Sequence, residues 1–179
     1  MDVSQALEKL LPAFRQYYTI NNDTPTQPFV AEAEFRSHNE QYFLVRSAHI
    51  ADIDSNEFVY FAGVPVLDDG TLMQLVSKAW ATGLEKVRPH EGHRNSDITL
   101  IILADKIAEQ TQTTIKKTKL YKSYKFSFWG WSNFKLAVVE VGNGNEMENQ
   151  TEKHGIYYNR FGKDYRKLLE KNIFCLKSF

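Results

Sequence analysis

The chain has 179 residues, the size of one folding unit, so a single globular domain over residues 1–179 is expected. Hydrophobic residues make up 42% and charged residues 25%, which excludes disordered, collagenous and coiled-coil classes. Lys plus Arg number 22 and Asp plus Glu 22, so the formal charge is zero; this excludes the profile of a strongly basic nucleic-acid protein but leaves room for a local basic patch.

The lone Cys175 rules out an intramolecular disulfide and a cysteine-based zinc site. The first thirty residues are charged from the start (Asp2, Glu8, Lys9) and lack an apolar leader core. No apolar run approaches the roughly 18 residues of a membrane span. A soluble cytoplasmic protein without membrane contact is expected.

Residues 3–18 place Ala6, Leu7, Leu10, Leu11, Phe14, Tyr17 and Tyr18 at helical spacing, and Pro12 within that stripe predicts a kink or break. A turn-rich stretch, 21–28, leads to three strands at 29–36, 41–50 and 57–64. The intervening turns, 37–40 and 52–56, are short, which predicts an antiparallel meander. Asp68 and Asp69 offer caps for a helix that Pro89 stops. The unbroken apolar run 98–104 reads as a buried central strand, and Asp105 as the cap of a helix reaching about residue 118. Strands at 121–128 and 134–141 form a hairpin around residues 129–133, and the polar stretch 142–154 follows. A short strand at 155–158 and a helix at 163–172 complete the chain. The expected architecture is mixed α/β (α+β): a three-stranded meander, then helix-strand-helix and a C-terminal hairpin, with helices flanking a mixed sheet.

No phosphate loop, nucleophile elbow, His-Glu-x-x-His or EF-hand pattern is present. Four local features remain. Glu32 and Glu34 on the first strand, with Asp52 and Asp54 at the end of the second, are oxygen ligands that could share Mg²⁺ or Mn²⁺; the competing reading is a solvated face with Glu32 or Glu34 paired to Arg46. The loop Arg88-Pro89-His90-Glu91-Gly92-His93-Arg94 sets two imidazoles three residues apart. His38 or His49 could complete a metal site there, but the flanking arginines favour an anion. Cations complementing a helix end, plus a hydrogen-bonded histidine, explain the same residues without a ligand. From Lys116 through Lys125 to Trp131, five lysines interleave with six aromatics, a combination that binds single-stranded nucleic acid. If the alternating aromatics instead face the core, these lysines are only a solvated hairpin edge. The basic run from Asn159 to Lys167 suits either a surface helix or an anion at a helix start.

The element order helix, three strands, helix, strand resembles the core of PD-(D/E)XK nuclease-like proteins. The third strand reads Glu57-Phe58-Val59-Tyr60, so the lysine of that family's motif is missing and no catalytic residue carries over. Arg88-Pro89-His90 with His93, residues 98–105, Lys122-Ser123-Tyr124-Lys125-Phe126-Ser127-Phe128 with Gly130-Trp131, and Asn159-Arg160 with Gly162-Lys163 resemble a family of small bacterial proteins of unknown function, from about Phe29 onward. That resemblance implies one soluble bacterial domain and brings no cofactor or substrate.

The leading expectation is a non-catalytic binding module. Its ligand is left open; the candidate surface is the anion-friendly loop with Arg88, His90, His93 and Arg94, joined by Arg46, Trp129 and Trp131, where a small anion could bind. A metal-dependent nuclease-like enzyme using Glu32, Glu34 and Asp52, and a nucleic-acid binder using Lys116 to Lys125, are the alternatives.

Overall fold

The computed structural model describes residues 1–42, 49–142 and 155–174, with only the backbone described at 37–42 and 49–53. The chain runs α1 (Val3–Leu10), β1 (Thr19–Asn21), β2 (Ala31–Tyr42), β3 (His49–Leu67), α2 (Asp69–Lys86), β4 (His93–Ile107), α3 (Glu109–Lys117), β5 (Tyr121–Ser123), β6 (Trp131–Glu140), β7 (Ile156–Tyr158) and α4 (Arg166–Ile173). Seven strands form one open mixed sheet in the order β1-β2-β3-β4-β6-β5, with β7 also paired to β6. The β1-β2-β3 set is antiparallel, while β3-β4 and β4-β6 are parallel. A parallel pair needs a crossover, which α2 and α3 supply.

Strand alternation sorts the core onto two faces. Phe58, Tyr60, Ile98, Leu100, Phe134 and Leu136 pack under α2 and α3. Val59, Phe61, Ile101, Leu103, Ala137 and Val139 pack under α1 and α4. The central run 98–104 is buried on both faces, as its unbroken apolarity predicts.

Local sequence set several ends and misplaced others. Asp68 accepts from the Thr71 amide at 2.7 Å and caps α2 as expected. Pro12 ends α1 after Leu10 in a 3₁₀ turn, so the first helix is half its expected length. The meander keeps its antiparallel sense with different limits: the expected turns at 37–40 and 52–56 are strand, because β2 and β3 pair through them. Polar side chains that suggested a turn bond across to β4 instead, Ser55 Oγ donating to Asn95 at 3.0 Å and Asn56 Nδ2 to Ser96 at 3.3 Å. Asp105 caps nothing, since β4 stays paired to β3 through Ile107.

β5 and β7 pair with opposite ends of one edge of β6. Asn159 fills the gap between them. Its side-chain amide donates to Phe134 O (2.9 Å) and Thr118 O (3.1 Å), and its Oδ1 accepts from the amides of Leu136 (3.0 Å) and Gly162 (2.8 Å). The residue is 1% exposed, so those bonds are shielded from water.

Candidate functional site

The loop 88–94 and the hairpin turn 124–130 meet at one corner of the sheet. His93 opens β4 and is buried. A carbonyl can only accept, so its Nδ1 donates to Trp129 O (2.7 Å), while Nε2 lies 2.8 Å from Ser96 Oγ. Its ring stands edge-on to Tyr124, whose hydroxyl meets Ser132 at 2.9 Å. His90 directs Nδ1 at Arg88 O and Nε2 at Asp54 Oδ2, both at 2.9 Å. Both imidazoles therefore have their nitrogens engaged within the chain: His93 is a strut between loop and turn, and His90 ties the loop to β3. Arg88 spans the last carbonyls of α2, donating to Glu85 O (2.6 Å) and Val87 O (3.1 Å).

The turn itself is strained. β5 ends at Ser123, and Lys125, Phe126 and Ser127 follow with φ of 44°, 54° and 71°. Left-handed backbone costs about 1–2 kcal/mol for each residue with a Cβ. What the conformation achieves is exposure: Phe126 is 96% and Phe128 83% accessible. Only Tyr124 of the alternating aromatics turns toward the core, so the expected core face does not extend to the two phenylalanines. Lys125 Nζ sits 3.4 Å from the centre of the Trp129 ring, and Lys122 Nζ 5.6 Å from that of Tyr124. Lys116, Lys117, Lys119, Lys122 and Lys125 are all exposed, and no Asp or Glu occurs between Glu109 and Glu140. Arg94 is exposed beside them. The turn side of the corner thus joins exposed aromatic faces to cations in a stretch without acids, while Asp54 and Glu91 lie on the loop side; exposed rings beside cations are the chemistry that holds flat anionic ligands.

A second polar cluster lies on the α1/α4 face. Glu57 Oε1 accepts from Thr99 Oγ1 (2.7 Å), Tyr165 OH (2.8 Å) and Lys135 Nζ (3.2 Å), and its Oε2 from Tyr18 OH (2.7 Å). Lys135 also meets Asp97 at 2.9 Å. Burial by itself would push the Glu57 carboxyl up, but Lys135 and the three hydroxyls outweigh it and hold it below its ordinary value. Lys135 is held above its ordinary value by Glu57 and Asp97 despite its own burial. Burial, then the Glu57 charge, pushes the hydroxyls of Tyr18 and Tyr165 up. With four donors on one carboxylate, the cluster ties the segment entering β1 and the turn before α4 to three strands.

A family model for a domain of unknown function, DUF8052, matches residues 2–171. The chain belongs to this family. No curated protein and no solved structure matches it. The match bears out the resemblance to an uncharacterised family and carries it back through α1 to the start of the chain.

Of the DUF8052 residues singled out by sequence, His90, His93, Arg94, Trp129 and Trp131 come together at the corner, whereas Arg88 turns its guanidinium back to the carbonyls at the end of α2. A Cβ on Gly130 would strike the carbonyl oxygen of Arg94, and Trp131 pairs with Asn95. Arg46 lies outside the described residues, as do 143–154 and Cys175, and the side chains of His38 and His49 are not among those described.

The acidic set does not converge. Glu32 pairs in register with Tyr60 and Glu34 with Phe58, whereas Asp52 pairs with Glu40. At roughly 3.3 Å per residue, Asp52 is about 20 Å or more along the ribbon from either glutamate. Each glutamate also has its own cation, Glu32 with Lys86 at 2.9 Å and Glu34 with Arg36. Among the described residues, no group of three or more His, Cys, Asp or Glu is placed to hold a metal ion. Among these residues, no helix is long and apolar enough to cross a membrane. The Glu57 cluster went unread in the sequence because its partners are 39 to 108 residues away; the available signal was charge at inward-facing strand positions (Glu57, Asp97, Lys135) beside apolar neighbours.

Proposed function

We propose that this DUF8052 domain is a binding module for single-stranded nucleic acid, held at the corner between the 88–94 loop and the hairpin turn. The observation that carries the reading is the exposure of Phe126, on left-handed backbone, and of Phe128, directly after the left-handed run, beside Lys122 and Lys125. Strain that the folded core does not need tends to be kept where function uses it. Bases stack on the two rings, and Lys122, Lys125 and Arg94 meet phosphates. The anion expected at the loop becomes the phosphate backbone of that strand, with His90 and His93 fixing the loop rather than touching the ligand. A formal charge of zero makes affinity depend on this one patch.

The test is fluorescence anisotropy of a labelled oligothymidine at low salt, with wild type and a Phe126→Ala, Phe128→Ala double variant. Saturable binding, weakened at least tenfold in the double variant, supports the reading. Absent binding, or equal binding by both proteins, overturns it. The metal-dependent alternative is not carried forward, given the separation of Asp52 from Glu32 and Glu34. A bacterial cytoplasmic setting is part of the proposal: a lone cysteine suits a reducing compartment, and fractionation of the native protein tests it.

A further inference from the structure

A different surface carries a separate inference. Between the C-terminal half of α2 and the start of β2 lies a cleft of about 560 Å³ lined by Arg36, Lys78, Lys86 and Arg88, with hydroxyls from Thr26 and Thr82. Glu85 is the one acid on its wall. Lys78, Thr82 and Lys86 follow at intervals of four along α2, so a single helix face presents them.

Three of the four cations are fixed from behind. Lys86 bonds Glu32 Oε2 at 2.9 Å and lies 5.4 Å from the centre of the Tyr60 ring. Arg36 is paired to Glu34, and its guanidinium sits 5.5 Å from the centre of the Phe58 ring. Arg88 is anchored through one nitrogen on the α2 carbonyls. Lys86 retains N–H groups beyond the one it uses, and so do both guanidiniums. Lys78 makes no ion pair among the described residues.

A helix C-terminus explains cations in its last turn, which accounts for Lys86 and Arg88. It does not account for Lys78, about 12 Å back along the helix, or for Arg36 on a strand. We propose that the cleft binds the terminal phosphate of a small phosphomonoester or pyrophosphate. A dianion with three free oxygens can use two guanidiniums, two ammoniums and two hydroxyls at once. A carboxylate or a backbone phosphodiester, with one charge and two free oxygens, cannot. The site is separate from the hairpin corner and stands whether or not that corner binds nucleic acid.

The experiment is calorimetric titration of the full chain with methyl phosphate and with pyrophosphate at constant ionic strength, and with dimethyl phosphate as the diester arm. The variants are Arg36→Ala with Lys78→Ala, both at exposed positions, and the hairpin double variant, each checked for an unchanged melting temperature. Saturable binding of the monoester or pyrophosphate is expected, at least tenfold tighter than the diester. It should be lost in the Arg36/Lys78 variant and kept in the hairpin variant. No binding, equal affinity for the diester, or retention in the Arg36/Lys78 variant overturns the proposal. Loss in the hairpin variant overturns it too, by assigning the phosphate to the corner.

Discussion

Gly130 touches the backbone of Arg94: its φ of 75° turns the chain so closely that a side chain there would strike the Arg94 carbonyl oxygen. The hairpin turn and the 88–94 loop are therefore one rigid unit at this point. Gly130→Ala should destabilise the fold by more than about 1 kcal/mol, since it adds both a clash and a strained conformation. Gly70→Ala is the control, because a Cβ there meets only Asp68 Oδ1, at 3.5 Å. Urea unfolding should separate the two, and oligonucleotide affinity should fall only for Gly130→Ala.

Phe126 offers the opposite experiment. Glycine at position 126 relieves left-handed strain and removes no buried contact, so Phe126→Gly should raise stability by about 1 kcal/mol. Binding should weaken at the same time, by the 1–3 kcal/mol or so that a stacked base contributes. A variant both more stable and equally tight would show that the ring has no part in recognition.

Salt dependence reports the phosphate contacts. If Lys122, Lys125 and Arg94 each neutralise one phosphate, the logarithm of the association constant should fall with the logarithm of salt concentration at a slope of about −2. Lys122→Glu should make the slope shallower. A flat profile for the wild type removes the phosphates from the account.

The Glu57 cluster makes a prediction about acid. Because the folded carboxyl titrates below its unfolded value, its contribution is fully present above the unfolded value of 4.5 and is lost as pH falls through the folded one. Melting temperature should thus decline below about pH 4.5, and Glu57→Gln should be less sensitive in that range. Lys135→Met should cost about 3–5 kcal/mol at neutral pH, because it leaves two buried carboxylates without their cation. Thermal denaturation across pH, with both variants beside wild type, checks the pair.

The sheet's centre was legible because 98–104 must be buried on both faces to satisfy its apolarity, and the start of α2 because Asp68 caps through a local bond. Turn chemistry misled at 52–56: Ser55 and Asn56 read as turn formers, but partners on β4, invisible to local rules, satisfy them in a strand. Sequence also put the loop histidines and Trp129 in one neighbourhood without a way to know that Trp129 O would occupy His93. Alternation carried β5 on to Phe128; three left-handed residues without a glycine among them are not something periodicity can announce.

Asn159 has a consequence for how the protein keeps to itself. An outer strand with free amides and carbonyls in its middle is an invitation to pair with another copy, and β6 would have such a stretch between β5 and β7. The Asn159 side chain stands in for the missing rung, donating to Phe134 O and accepting from the Leu136 amide, while its backbone N–H donates to Leu136 O. Asn159→Asp keeps the size but removes the donors, leaving the Phe134 carbonyl facing a charge. Loss of monodispersity on standing, more than loss of melting temperature, is the expected mark of that change. That outcome would make Asn159 a guard against aggregation written into one side chain.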